Sequence, residues 1–109
     1  MTSKEVTLTK EQQDNVVRWI VRGYDVKSIE FTNFGMNRST GSYVLSIKIN
    51  NDDNLGTVFM TYDYDMFDNQ NGRINLDPVE EFQILLKKEL LDDDAKVNLD
   101  NLNIIYLGE

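Results

Sequence analysis

The sequence predicts an α+β domain of two layers: an antiparallel sheet of about four strands with helices on one side, in the order α-β-β-β-α-β. Three stretches predict it. Residues 42–65 alternate apolar and polar positions on both sides of a polar turn, the period of a β-hairpin. Residues 10–22 repeat apolar side chains at helical spacing, and residues 77–91 do so again behind an Asp-Pro opening. The chain has 109 residues, near the commonest domain size, and reads as a single domain. Residues 1–7 are polar and are expected to be flexible.

The first helix should run from Lys10 to Arg22. Thr9 can cap it, Gln12 completes a capping box, and Gly23 stops it. Val16, Val17, Ile20 and Tyr24 share one face with Gln13, the stripe of a helix laid on a core. Trp19 lies off the centre of that stripe and reads as a boundary residue covering the sheet edge, with ligand stacking as the alternative. Residues 25–33 read as the first strand, with Ile29 and Phe31 inward, and residues 34–41 as a connection rich in turn residues.

The hairpin comes next. If Asn51 and Asn54 flank Asp52-Asp53 in a tight loop, Ile47 faces Val58, Leu45 faces Met60 and Tyr43 faces Tyr62. Apolar cross-strand pairs are worth roughly 0.2–1 kcal/mol each. A slip of one residue sets Leu45 against Phe59 but Ile47 against Thr57 and Tyr43 against Thr61, a poorer match. The preferred register leaves Val44, Ser46, Lys48, Thr57, Phe59, Thr61 and Asp63 on the second face. That face is either partly covered by another element or open for binding.

A polar loop follows from Asp65 to Arg73, anchored at its far end by Ile74 and Leu76. The second helix should open with Asp77 as cap, Pro78 in the first helical position and Glu80 and Glu81 at the positive end of the dipole. Its apolar face is Val79, Phe82, Leu85, Leu86 and Leu90, and it ends near Leu91 before Asp92-Asp93-Asp94. Residues 102–107 read as the last strand.

Composition narrows the chemistry. The chain has neither Cys nor His, so it can build no disulfide, no Cys/His zinc site and no Ser-His-Asp arrangement. Its glycines form no phosphate-binding loop. An EF-hand frame with Gly72 at position 6 puts Phe67 at position 1 and Pro78 at position 12, so it fails. Nineteen acids are present but nothing singles out a catalytic pair, and the reading is non-enzymatic, with a small hydrolase as an alternative and with no cofactor or metal implied.

Net charge is −8 and unevenly spread. Residues 1–50 hold seven Lys/Arg against five Asp/Glu, and residues 51–109 hold four against fourteen, so the halves carry +2 and −10. An acidic half disfavours direct binding to nucleic acid or anionic membrane and suits a basic protein partner, or serves only solubility. No apolar run approaches a membrane span and the start has no hydrophobic signal region, so a cytoplasmic protein is expected. In residues 61–68 aromatics and carboxylates alternate. The plain reading is buried tyrosines behind a solvated acidic face. The functional reading is an interface in which Asp63, Asp65 and Asp68 meet basic residues, Phe59, Phe67 or Met66 anchor the contact, and Asp92, Asp93 and Asp94 add to the field.

The runs Trp19-Ile20…Tyr24 to Asn33, Thr40-Gly41-Ser42-Tyr43 and Ile49 to Leu55 resemble small cystatin-like domains of Gram-positive bacteria, many of them lipoproteins, over residues 12–64. No lipobox Cys or leader is read in the residues given, a departure from those domains, so surface tethering is not expected. The resemblance implies an immunity-type protein against a secreted antibacterial toxin, and it carries over no active-site residue. The expectation is therefore an acidic inhibitor or immunity protein that blocks a basic surface of a protein partner. The alternative is a phage-encoded anti-CRISPR-type inhibitor of a nucleic-acid-binding enzyme, imitating phosphate charge with its carboxylates.

Overall fold

The computed structural model describes residues 7–108, so the expected flexibility of the first residues falls, for positions 1–6, outside the described part. The elements are α1 (Lys10–Val21), β1 (Ser28–Asn37), β2 (Ser42–Ile49), β3 (Gly56–Thr61), α2 (Val79–Phe82) and β4 (Asn103–Ile105). They form an α+β fold with a four-stranded sheet in the order β3-β2-β1-β4.

The start of α1 follows its sequence signal. Thr9 Oγ1 accepts from the Gln12 backbone N–H at 3.1 Å, and Gln12 Oε1 accepts from the Thr9 N–H at 2.9 Å, a complete capping box. The predicted stripe is the buried one: Val16, Val17 and Ile20 are fully covered, and Tyr24 nearly so. These residues share one core with Ile29, Phe31, Leu45, Ile47 and Ile49 of the sheet and with Phe67, Leu76 and Phe82 of the later chain.

The sheet departs from expectation in three ways. First, β1 reaches Asn37, so the expected connection 34–41 shrinks to a tight turn in which Gly41, at φ 76°, donates to the Asn37 carbonyl at 2.7 Å. A β-bulge between Phe31 and Asn33 makes this possible. One extra residue reverses the alternation, so both Phe31 (opposite Ile47) and Phe34 (opposite Leu45) face the core.

Second, the β2–β3 register is the slipped one. Leu45 lies opposite Phe59, Ile47 opposite Thr57 and Tyr43 opposite Thr61. The loop decides it. Asn50 (φ 55°) and Asn51 (φ 53°) both adopt the left-handed conformation, and Asp52 N–H donates to the Ile49 carbonyl at 3.1 Å. Asn tolerates this region better than most residues. A second turn follows, with Leu55 N–H donating to the Asp52 carbonyl at 2.9 Å, and Ile49 N–H then meets the Leu55 carbonyl. The turn therefore centres on Asn50-Asn51 rather than Asp52-Asp53. The shift of one residue sends Thr57 and Phe59 inward, and Val58 and Met60 to the outer face.

Third, the sheet is mixed rather than antiparallel. β4 runs parallel to β1, with Ile29 opposite Ile104. The long segment 62–102 carries the chain from β3 at one edge to β4 at the other, and a connection of that length allows a parallel return.

The second helix is much shorter than expected. α2 holds four residues, followed by one 3-10 turn over Gln83–Leu85, and the expected helix does not reach Leu91. Pro78 occupies the cap position and Asp77 makes no capping bond there. Of the predicted apolar face, Phe82 is fully buried and Leu85 half-buried, while Val79, Leu86 and Leu90 are exposed. Tertiary bonds explain the early end. Leu91 N–H donates to the Arg22 carbonyl at 2.8 Å, Lys87 N–H to the Gly23 carbonyl at 2.9 Å, and Asp25 N–H to the Leu85 carbonyl at 2.7 Å. Segment 85–91 thus spends its backbone groups on the C-terminal end of α1, whose last carbonyls have no partner within their own helix.

Candidate functional site

The predicted interface residues occupy different places. The expected loop after β3 begins with a 3-10 turn, Tyr64–Asp68, which drives Phe67 into the core with no exposure. There Phe67 meets Phe34 edge-on at 5.6 Å and Phe59 edge-on at 6.0 Å. Phe59 is half-buried on the inner face and lies 6.0 Å from Trp19. Neither ring is presented to a partner: the register turned Phe59 inward, and the 3-10 turn did the same to Phe67. Met66 is half-buried against the same core. Trp19 is itself nearly covered, and its indole N–H donates to the Asn69 carbonyl at 3.0 Å, which leaves no face free for ligand stacking.

The carboxylates remain outside, but in two separate groups. Asp63 caps the 3-10 turn, its Oδ1 accepting from the Asp65 N–H at 3.0 Å. Asp65 is exposed, and Asp68 Oδ1 accepts from Gln12 Nε2 at 3.1 Å, near the start of α1. Asp92, Asp93 and Asp94 sit by the other end of that helix. Asp93 pairs with Arg73 at 3.0 Å, and its carbonyl accepts from the Gly72 N–H at 2.7 Å. Gln12 and Arg22 are ten residues apart on α1, about 15 Å at 1.5 Å per residue. The two acidic groups therefore mark opposite ends of the helix. Among the described residues no three carboxylates converge where a metal ion could sit.

Arg22 organises the second group from beneath. It is buried, donates Nε to the Ala95 carbonyl at 3.0 Å and Nη1 to the Gly72 carbonyl at 2.9 Å, and so ties two loops together. Burial, with Arg18 close by, pulls its pKa below the ordinary value, and Asp93 and Asp94 push it back up.

What the register exposes is the edge strand. β3 ends the sheet, and its six residues, Gly56-Thr-Val-Phe-Met-Thr61, carry no charge and no proline. Among the described residues, no backbone–backbone bond from outside the sheet reaches β3; one contact from outside is on its inner face, where the Asp77 N–H donates to the Thr57 hydroxyl at 3.2 Å. On its outer face Val58 is 59% exposed and Met60 55%, beside Ser46 and Val44 of β2. Tyr62, just beyond the strand, is 68% exposed. Long apolar edges are usually blunted by charge, proline or cover; this one has none of these within the strand. Carboxylates flank it instead. Asp52 and Asp53 precede it and Asp63 and Asp65 follow it. Asp52 and Asp63 accept from nearby backbone N–H groups, and among the described residues Asp53 is the one of these in an ion pair, with Lys48 at 2.7 Å. That bond holds the Asp53 carboxyl below its usual range and raises Lys48.

The exposed Val58, Met60 and Tyr62 are the residues that pairing by apolar match hides. The signal for them lies in the loop: two adjacent asparagines suited to left-handed backbone predict a turn centred on Asn50-Asn51, and that turn sets the slipped register.

Comparison with known proteins finds no matching family model, no similar curated protein and no similar solved structure. The cystatin-like resemblance therefore stands on its sequence runs alone, and function is argued from geometry.

Proposed function

We infer that this chain is a non-enzymatic binding protein whose β3 edge receives an extended, basic segment of a protein partner and blocks it, as an inhibitor or immunity-type protein would. One observation carries the reading: an uncharged edge strand with an exposed outer face and carboxylates at both ends. An extended segment added to such an edge gains main-chain hydrogen bonds along its length, while alternate side chains supply specificity. Val58 and Met60 offer it an apolar row. Asp63 and Asp65 favour Lys or Arg at its flanks and disfavour a second copy of this acidic chain. An antibacterial toxin with a basic active surface is the partner class that fits this expectation.

A random peptide library selected on the purified protein tests the reading without a known partner. The expected peptides alternate β-branched or aromatic residues with polar ones, carry basic flanks, and lose binding to Val58→Lys and Met60→Lys variants. Those positions are exposed, so the fold should tolerate the change within about 0.5 kcal/mol. Peptides that are acidic, or that bind the lysine variants unchanged, would overturn the edge-strand reading. Purely basic peptides without apolar alternation would favour the charge-mimic inhibitor instead.

A further inference from the structure

The acidic surface has a basic counterpart elsewhere. A cleft of about 500 Å³ opens between the C-terminal end of α1, the entry to β1 and segment 87–102. Val21, Val26, Val97 and Leu102 supply an apolar wall, and Tyr24 lines it too. Lys27, Lys87 and Lys96 stand around it with Asp25 as the acid of the lining, three positive charges against one negative, a local +2 in a chain of net −8. Lys87 is engaged with Asp25 at 2.5 Å. Lys27 and Lys96 hold no ion pair among the described residues.

We propose that this cleft binds a small amphipathic anion, an apolar body ending in one carboxylate. Three features select that class. The volume lies in the range of small-molecule sites, roughly 300–1,000 Å³. The apolar part of the lining is branched aliphatic, which suits an alkyl or aryl body, while Asn98 and Asn101 lie with the charged residues on the polar part. Lys27 and Lys96, two lining residues without an ion pair among the described residues, provide the counter-charge, and long lysine stems let the charged heads reach a ligand while their methylenes cover its apolar part. The site is separate from the β3 edge: β3 and β1 are not neighbours in the sheet, and no residue of β3 lines the cleft. Failure of one reading therefore leaves the other standing.

Decanoate, kept below its micelle concentration, is the probe. Titrated into isotope-labelled protein and followed by NMR, it should give saturable shifts at Val21, Val26 and Leu102 and none along β3. The Lys27→Gln/Lys96→Gln double variant should bind about fivefold more weakly, the scale of two part-exposed ion pairs, with an unchanged melting temperature. Lys88→Gln, outside the cleft lining, serves as the control and should bind as wild type. Neutral decanol should bind more weakly than decanoate. Three results would overturn the proposal: non-saturable shifts spread over the surface, equal affinity for decanol, or a double variant that binds decanoate as well as wild type. Concentration-dependent dimerisation that vanishes in the double variant would also overturn it, since the cleft would then hold the acidic half of a second copy.

Discussion

The indole N–H of Trp19 donates to the carbonyl of Asn69 at 3.0 Å, from a ring packed against Phe59 and Phe67. This contact pins the chain beyond β3 to α1, next to the acidic end of the edge strand. Trp19→Phe keeps an aromatic ring but removes the donor and leaves a gap. The expected loss is about 1–3 kcal/mol, read as a lower denaturant midpoint, with faster proteolysis after residue 69. An unchanged midpoint would show that the bond contributes nothing to the fold.

Leu45 and Met60 should respond oppositely to truncation. Leu45 is fully buried opposite Phe59, so Leu45→Ala should cost about 2–5 kcal/mol. Met60 is on the outer face, and Met60→Ala should change stability by no more than about 0.5 kcal/mol. Comparable losses in the two variants would put Met60 in the core and restore the other register.

Arg22 holds two loops by their carbonyls. Arg22→Met fills similar space without donors, and leaves the Gly72 and Ala95 carbonyls to find water. Hydrogen bonds from charged groups are worth about 1.5–3 kcal/mol each, so a destabilisation of at least about 2 kcal/mol is expected. Amide exchange at Gly72, whose N–H meets Asp93, should speed up more than exchange in β2. Equal acceleration everywhere would show a global effect rather than a loosened tether.

The Lys48–Asp53 bond gives the loop before β3 a pH signature. The lowered Asp53 pKa means its contribution is present above the unfolded carboxylate value and fades as pH falls through the lower folded value. The raised Lys48 pKa works at the other limit: its contribution is present below the unfolded lysine value and fades as pH rises through the higher folded one. Lys48→Gln should therefore raise the Asp53 titration midpoint, followed by carboxyl carbon NMR. High salt should shrink the difference between wild type and variant. An Asp53 titration indifferent to the substitution would contradict the pair.

Local chemistry was the legible part of this fold. Thr9 and Gln12 encode a capping box, and Val16, Val17 and Ile20 a buried stripe, because both depend only on residues within one or two turns. The second helix failed for the converse reason. Phe82, Leu85, Leu86 and Leu90 have helical spacing, but the carbonyls of Arg22 and Gly23 claim the N–H groups of Leu91 and Lys87. No local pattern records that competition. The direction of β4 is similarly a property of the path taken by residues 62–102. The candidate surface was hidden by a single residue of register. Matching Leu45 with Met60 maximises apolar pairing, yet Asn50 and Asn51 set the turn, and β3 shows its apolar row to solvent. Asp63 and Asp65 were readable as exposed acids, whereas the burial of Phe59 and Phe67 required the register and the 3-10 turn.

The central claim is that β3 is a docking edge, and amide hydrogen exchange across the sheet, with and without a library-selected peptide, tests it most directly. Amides of β3 that lack an in-sheet partner should gain protection when the peptide binds, those of β4 should not, and 1 M salt should weaken the effect. Protection confined to residues 92–94 or to α1, with β3 unchanged, would contradict the account.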